Sequence, residues 1–255
     1  MTEAIVTNAA AFAAAFAAGA INSVAGGGTL LTFPTLVWLG LPSIVANATS
    51  TVAIWPGSFG GAWGFRRELR DTDAPVLAFA VPSIIGGLLG AVLLRRTPTS
   101  LFDALVPFLI LFATLLFMAQ EPIQRLIGHR SDRHRDTRWL AGAMVFQFFI
   151  GLYGGYFGAG IGILMLAALG VLGMRDIHQM NGVKNLLALC INGIAAIYFM
   201  STGMVQWTEV TVMAVGAIAG GIGGAGLARR AGHRAVRWTV IAIGFGMALS
   251  LAIRN

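Results

Sequence analysis

The sequence predicts an all-α, polytopic membrane bundle: about eight full transmembrane helices plus two short broken or re-entrant segments, built from two inverted repeats. Three observations lead there. Of 255 residues, 57% are hydrophobic and only 11% charged, less than half the charged share of a soluble domain. The charges are bunched, and apolar runs of about 20 residues lie between them, the length that crosses ~30 Å of hydrocarbon. A glycine-led pattern in the first half also recurs in the second.

The first run, 4–25, is Ala-rich. Small residues in Ala-x-Ala order mimic a cleavage site, but a secretory signal needs a positive n-region and the only charge here is Glu3, so the run reads as a retained helix. The second run, 29–41, and the seventh, 161–172, are only about 18–20 Å long as helices, too short to span comfortably. They read as half-helices or as the return limb of a re-entrant element. Runs 43–65, 74–94 and 100–118 complete the first half, and 139–157, 177–202, 207–228 and 236–253 the second. The chain therefore divides into a membrane repeat at 1–118, a basic cytoplasmic loop at 119–138 and a second membrane repeat at 139–255.

The net charge is +7 and the pI about 11.0. A basic pI suits a nucleic-acid binder, but these arginines sit between apolar runs, where the positive-inside rule places them. No nucleic-acid partner is called for. Arg125, Arg130, Arg133, Arg135 and Arg138 make the central loop cytoplasmic. Counting ten crossings puts Arg66, Arg67, Arg70, Arg175, Arg229, Arg230, Arg234 and Arg237 on that side too, thirteen of the 17 basic residues. Both termini then face outward. The one cysteine, Cys190, excludes an intrachain disulfide and reads as packing.

The repeat is read from residues 26–51 and 158–185. Each opens on a glycine cluster, Gly26-Gly27-Gly28 or Gly158-Ala159-Gly160-Ile161-Gly162. Each continues through a short apolar run to Leu39-Gly40 or Leu172-Gly173. Each then enters a long segment through polar residues, Asn47-Ala48-Thr49-Ser50-Thr51 or Asn181-Gly182-Val183-Lys184-Asn185. With five segments per half, the second copy is inverted. Short, glycine-interrupted segments at matching positions of two inverted halves point to a transporter's midplane site. A helix broken inside the membrane leaves backbone N–H groups that are tolerated only against a cavity or a ligand. Its positive N-terminal end suits an anion. Other glycines have a plainer reading. Gly216, Gly220 and Gly224, like Gly86 and Gly90, follow the spacing that lets helices approach closely. Gly221-x-Gly223-x-x-Gly226 matches a dinucleotide fingerprint but lacks the preceding strand. Asn47-Ala48-Thr49 is a glycosylation sequon buried in an apolar run.

The Gly26–Thr51 stretch and its counterpart resemble the sulfite exporter TauE/SafE family, the TSUP permeases. The resemblance covers nearly the whole chain in length, glycine-rich first segment, basic central loop and four-plus-four major helices. The family's eight helices match this chain if the two short segments are not counted. What the resemblance implies is transport of sulfite, of sulfonates such as sulfoacetate, or of related sulfur anions across a bacterial inner (plasma) membrane. The second half departs from the first by carrying Arg175, His178 and Lys184, so substrate does not carry over.

Lys184 lies about 12 Å into its segment. A lysine at that depth costs at least ~2.5 kcal/mol unless paired or hydrated. It is the candidate for the anion's counter-charge; the plainer readings are snorkelling or pairing with Asp176 two turns away. The expected substrate-binding set is Gly26, Gly27, Gly28, Thr29, Asn47, Thr49, Ser50, Thr51, Gly158, Gly160, Gly162, Asn181, Lys184 and Asn185. The polar members supply neutral donors, or else only interhelical hydrogen bonds. His178 is a candidate for proton coupling, or simply a solvated interfacial residue. Asp103, Asp176 and Glu209 all fall near segment ends, so no carboxylate relay is expected at mid-depth. The reading is a secondary transporter for a small anion, with no cofactor and no metal. The expected partners are that anion, the lipid bilayer and, as an assembly open to such a bundle, a second copy in a homodimer. An anion channel needs the same apolar wall and positive constriction. An intramembrane enzyme has little to stand on: there is no His-Glu-x-x-His, no Gly-x-Ser-x-Gly and no pair of mid-membrane carboxylates.

Overall fold

The computed structural model describes residues 2–24, 27–64, 66–70, 76–127, 137–171, 174, 176–231 and 233–254. Every element among them is a helix: α1 (Thr2–Val24), α2 (Thr29–Trp38), α3 (Ser43–Gly64), α4 (Arg66–Arg70), α5 (Val76–Arg96), α6 (Thr99–Ile127), α7 (Thr137–Tyr156), α8 (Ile161–Val171), α9 (Ile177–Ser201), α10 (Trp207–Ala231) and α11 (His233–Arg254). Eight have 20 residues or more, while α2 and α8 have 10 and 11. Eight long helices and two short ones is the expected membrane architecture. The stretches Ala78–Arg96, Thr99–Ala119 and His178–Ser201 are long and apolar enough to cross a bilayer; α1, α7, α10 and α11 carry shorter apolar cores. Phe108, Ile222 and Leu249 are at least 63% exposed on the outer wall, a surface that lipid, not water, accommodates.

Two differences from the sequence reading concern the middle of the chain. The one-turn helix α4 was not expected, since its five residues carry three arginines and a glutamate and no apolar period. Helix α6 runs on to Ile127 through Pro122, nine residues beyond the expected apolar run, because the backbone continues in helix after the membrane-compatible side chains stop. Of the central loop, 128–136 lie outside the described residues.

Local chemistry sets the breaks. Helix α2 ends in a Schellman turn: Gly40 takes φ +92° and Leu41 N–H returns to Leu36 O at 3.1 Å, a closure that favours glycine at the left-handed position. Met174 N–H returns to Leu169 O over the same interval, also at 3.1 Å, after α8. Helix α9 starts sharply because Asp176 accepts from His178 N at 2.7 Å and from Gln179 N at 3.3 Å, an N-cap that satisfies two orphan donors.

The inversion is visible in which helices touch. Helix α1 packs most extensively on α10, and its counterpart α7 on α5, the counterpart of α10. The contacts are close because they are made of glycine. A Cβ on Gly220 would strike Phe16 O and one on Gly216 would lie 2.7 Å from Phe12 O; Gly86 and Gly90 meet Phe148 O and Leu152 O in the same way. Residue numbers rise together along both seams, so each pair is parallel. Thr49 meets Gln206 and Gly57 meets Ala217, so α3 runs with α1 and α10. Phe79, Leu140 and Met180 share one cluster, while Gly87 and Gly154 both approach Ile191, so α5, α7 and α9 run together. Leu69, just past the end of α3, joins the cluster around Met180 near the start of α9. The two sets are therefore opposed, and α3 crosses α9 at the centre of the molecule.

Candidate functional site

In each half a short helix begins inside the bundle, after a loop of small residues. Thr29 opens α2 beside the end of α1, and an added Cβ at Gly28 would lie 2.7 Å from Ala18 O. In the second half Gly158 and Gly160, at φ +79° and +80°, turn the chain from α7 into α8. The two loops face the crossing of α3 and α9. Between them lies a cavity of about 50 Å³, enough for roughly three to five groups of water size, each needing ~10–15 Å³.

Half of the expected site residues meet there. Gly27, Gly28 and Thr29 line the cavity from the first half; Gly158, Gly162, Lys184 and Asn185 line it from the second. Asn181 sits behind the lysine and accepts from Lys184 Nζ at 2.9 Å. Lys184 is only 1% exposed and makes no ion pair among the described residues. The pairing with Asp176 does not occur, because that carboxylate is committed to capping α9. Among the described residues no Asp or Glu lines the cavity. Two of the three ammonium protons therefore have no acceptor among those residues, and the Nδ2 of Asn185, also buried, has no partner there.

The other expected residues lie elsewhere. Gly160 packs beside Leu116 and Ala113. Asn47 donates from Nδ2 to Tyr156 O at 2.8 Å, Thr49 Oγ1 accepts from Gln206 N at 3.0 Å, and Thr51 Oγ1 donates back to Asn47 O at 3.0 Å. Ser50 and Thr32 share a 2.6 Å hydrogen bond. Asn47, Thr49 and Ser50 brace α3 against its neighbours, while Thr51 bonds back within α3, and helical geometry gives the reason. Ile54, Gly57 and Ser58, one and two turns beyond Ser50, are the α3 residues level with the cavity. His178 is exposed, at the start of α9. Gly26 and Arg175 lie outside the described residues.

Three polar cavity residues escaped the sequence reading: Asn22, Ser58 and Asn192. Asn192 had a legible signal. Asn181, Lys184, Asn185, Ala188 and Asn192 follow i, i+3, i+4, i+7, i+11, a polar stripe down an otherwise apolar helix. With the offset of 134 that relates Asn47 to Asn181, Asn192 is also the partner of Ser58, and Ala188 that of Ile54. The cavity is thus lined by equivalent residues of the two repeats, but not symmetrically: the places of Lys184 and Asn185 are taken in the first half by Ser50 and Thr51, which do not line it. Asn22 has a second role. Its Oδ1 accepts from Gly27 N at 3.0 Å and Gly28 N at 2.8 Å, so the first cluster's backbone donors are spent on the protein. The amide N–H₂ of Asn22 remains as the donor on that wall. In the second cluster the loop is held differently, by Tyr153 OH donating to Ala159 O at 2.8 Å. Ile163 and Leu164 N–H return to Gly160 O.

A cavity with one buried ammonium, several amide and hydroxyl donors and no carboxylate is chemically suited to an anion. Comparison with known proteins agrees with the architecture. Residues 11–251 match the family model described as sulfite exporter TauE/SafE. A probable membrane transporter protein of Haemophilus influenzae is 28% identical over 243 residues, covering 92% of this chain and 91% of its own length. The probable membrane transporter protein YfcA of Escherichia coli K12 is 27% identical, covering 94% and 87%, and ORF9 of a Sinorhizobium species is 26% identical, covering 94% and 90%. No solved structure matches the chain. The chain belongs to the sulfite exporter TauE/SafE family and is an integral membrane transporter.

Proposed function

We propose that this transporter is a secondary carrier for a small anion, a sulfite, a sulfonate or a related sulfur oxyanion, bound in the central cavity and moved across a bacterial plasma membrane by alternating access. The observation that carries the reading is Lys184: a buried ammonium on a cavity wall with no carboxylate among the described residues to neutralise it. A charge held in a low-dielectric site is costly unless a counter-charge arrives. An oxyanion supplies that charge together with several acceptors for the orphan donors of Lys184, Asn185 and Asn22. The cavity's size fits an anion of a few heavy atoms. The family's printed name supports a sulfur oxyanion, and the bacterial relatives support the membrane.

Alternating access follows from the same geometry. The α1–α2 and α7–α8 hairpins approach the cavity from opposite faces, and the pseudo-symmetry axis makes opening toward one side the mirror of opening toward the other. Uptake into proteoliposomes with a panel of sulfur oxyanions, sulfonates and carboxylates tests the reading. Gradient-driven flux that saturates is expected; unsaturating ohmic current would identify a channel instead. Lys184→Met keeps the approximate bulk of the side chain and removes the charge. It is expected to insert and fold while losing at least tenfold in substrate affinity, about 1.4 kcal/mol. Wild-type affinity in a folded Lys184→Met protein would place the site elsewhere.

A further inference from the structure

We propose that Lys184 carries the transported proton: it is charged when the anion is bound and neutral when the empty carrier returns. This rests on the anion-carrier reading above and adds its coupling ion.

The argument begins with what surrounds the ammonium. Helix α9 packs against α3, α4, α5, α7 and α8. Helices α3 and α8 contain no titratable residue, and α5 carries only Arg95 and Arg96, in its last turn. On α7 the groups are Arg138, Tyr153 and Tyr156, and on α4 they are Arg66, Arg67, Glu68 and Arg70. On α9 itself they are His178, near its start, Cys190 and Tyr198. Tyr153 OH is occupied by Ala159 O, and His178 is exposed. The hydrogen-bond partner of Lys184 Nζ is the neutral Asn181 Oδ1. Among the described residues, then, nothing anionic meets the ammonium of the empty carrier, and moving it through the occluded state exposes an uncompensated charge to a low-dielectric wall. Release of the proton to water removes that cost, because the neutral amine still donates to Asn181.

A second observation concerns residue choice. Lys184 is the only lysine among the 17 basic residues; all the others are arginine. Arginine keeps its charge in proteins, whereas a buried lysine gives up its proton readily. Among the described residues the cation on the cavity wall is thus the one Lys or Arg side chain able to cycle. Because the counterpart position is Ser50, there is one such group per chain, which sets one proton per anion. The balance is simple. Amine plus H⁺ plus anion forms a neutral ammonium–anion pair on one side; the pair crosses and separates on the other side into anion, H⁺ and amine. The cycle is electroneutral for a monoanion.

Methanesulfonate is the probe, since it is a monoanion at every pH used. In proteoliposomes, net wild-type uptake is expected to rise about tenfold or more with an inward proton gradient, and to ignore a valinomycin potential at equal pH. In Lys184→Arg the ratio of net methanesulfonate uptake to internal-for-external exchange is expected to fall by at least about tenfold relative to wild type, whatever the absolute exchange rate, because exchange never requires the empty carrier to return. A variant-free measurement stands beside these. Adding methanesulfonate to weakly buffered purified protein at about pH 9 should draw protons from solution, approaching one per chain. A wild-type ratio of net uptake to exchange in Lys184→Arg, wild-type flux driven by voltage, or binding without proton uptake would each overturn the proposal while leaving anion transport intact. Failure of wild-type exchange with both methanesulfonate and sulfite would instead overturn the transport reading, and this proposal with it.

Discussion

At the scale of single residues, the cavity separates two kinds of polar group that look alike in the sequence. Thr49, Ser50 and Thr51 find partners within the protein, and so does the Nδ2 of Asn47, whose Oδ1 is left as a buried acceptor. Asn22, Lys184 and Asn185 instead hold donors at the cavity with no acceptor among the described residues. The second kind is the informative one, since a buried polar group without a partner costs on the order of 1–3 kcal/mol and persists where a ligand relieves it. Asn22 allows the two roles to be separated. Asn22→Ala removes the acceptor of Gly27 and Gly28 N–H and should lower stability by roughly 1–3 kcal/mol. Asn22→Asp keeps that acceptor and should hold the loop, but it places a carboxylate beside Lys184. Anion affinity should then fall at least tenfold in a protein whose thermal stability in detergent stays near wild type. An Asn22→Asp protein that binds normally would mean the Asn22 side chain does not face the anion.

At the scale of elements, the two parallel seams α1–α10 and α5–α7 depend on backbone-to-backbone approach. Gly220 faces Phe16 O and Gly90 faces Leu152 O with no room for a Cβ, while Gly246 has nothing within 4 Å. Gly220→Val and Gly90→Val should each destabilise the detergent-solubilised protein by more than about 3 kcal/mol, through backbone shift as well as overpacking. Gly246→Ala should change stability by less than about 0.5 kcal/mol. Equal losses at all three positions would show that helix propensity rather than seam packing governs them. Gly216, Gly220, Gly86 and Gly90 were legible as packing glycines because their i, i+4 spacing has one simple use in a membrane helix. The short helices were legible from length and from their glycine entries. The division of labour within Asn47–Thr51 was not, because a one-residue rotation on a helix turns a side chain by 100° and no polar residue states which neighbour it will meet. Asn22 was illegible for a different reason: its role is to close a hairpin whose turn lies five and six residues away, a relation set by the return of α2 rather than by any pattern in α1.

At the scale of the whole molecule, direction and charge combine into an orientation. Helices α1, α3 and α10 start at one face, where α2 also ends; α3 ends and α9 begins at the other. Trp38 and Trp207 are exposed at the first face and Trp63 and Trp238 at the second, two levels of the kind that mark the edges of a bilayer. The Trp63 face also carries Arg66, Arg67 and Arg70 and receives the ends of α6 and α10 and the start of α7. Most basic residues therefore belong to segments that end there, and the positive-inside rule predicts that this face is cytoplasmic. The re-entrant hairpins do not disturb this assignment, because a limb that enters and returns contributes no net crossing. With Cys190 replaced by Ser, a cysteine at Thr202, in the turn between α9 and α10, should react with an impermeant maleimide in intact cells. A cysteine at Arg67, in α4, should react only after permeabilisation. The two positions lie on opposite sides of the cavity, one just after α9 and the other just after α3, the helices that cross at its centre, so their labelling reports the direction of the whole inverted pair. Reversed labelling would turn the molecule over in the membrane, place α1–α2 at the cytoplasmic mouth, and break the charge rule for the thirteen basic residues assigned to the other face.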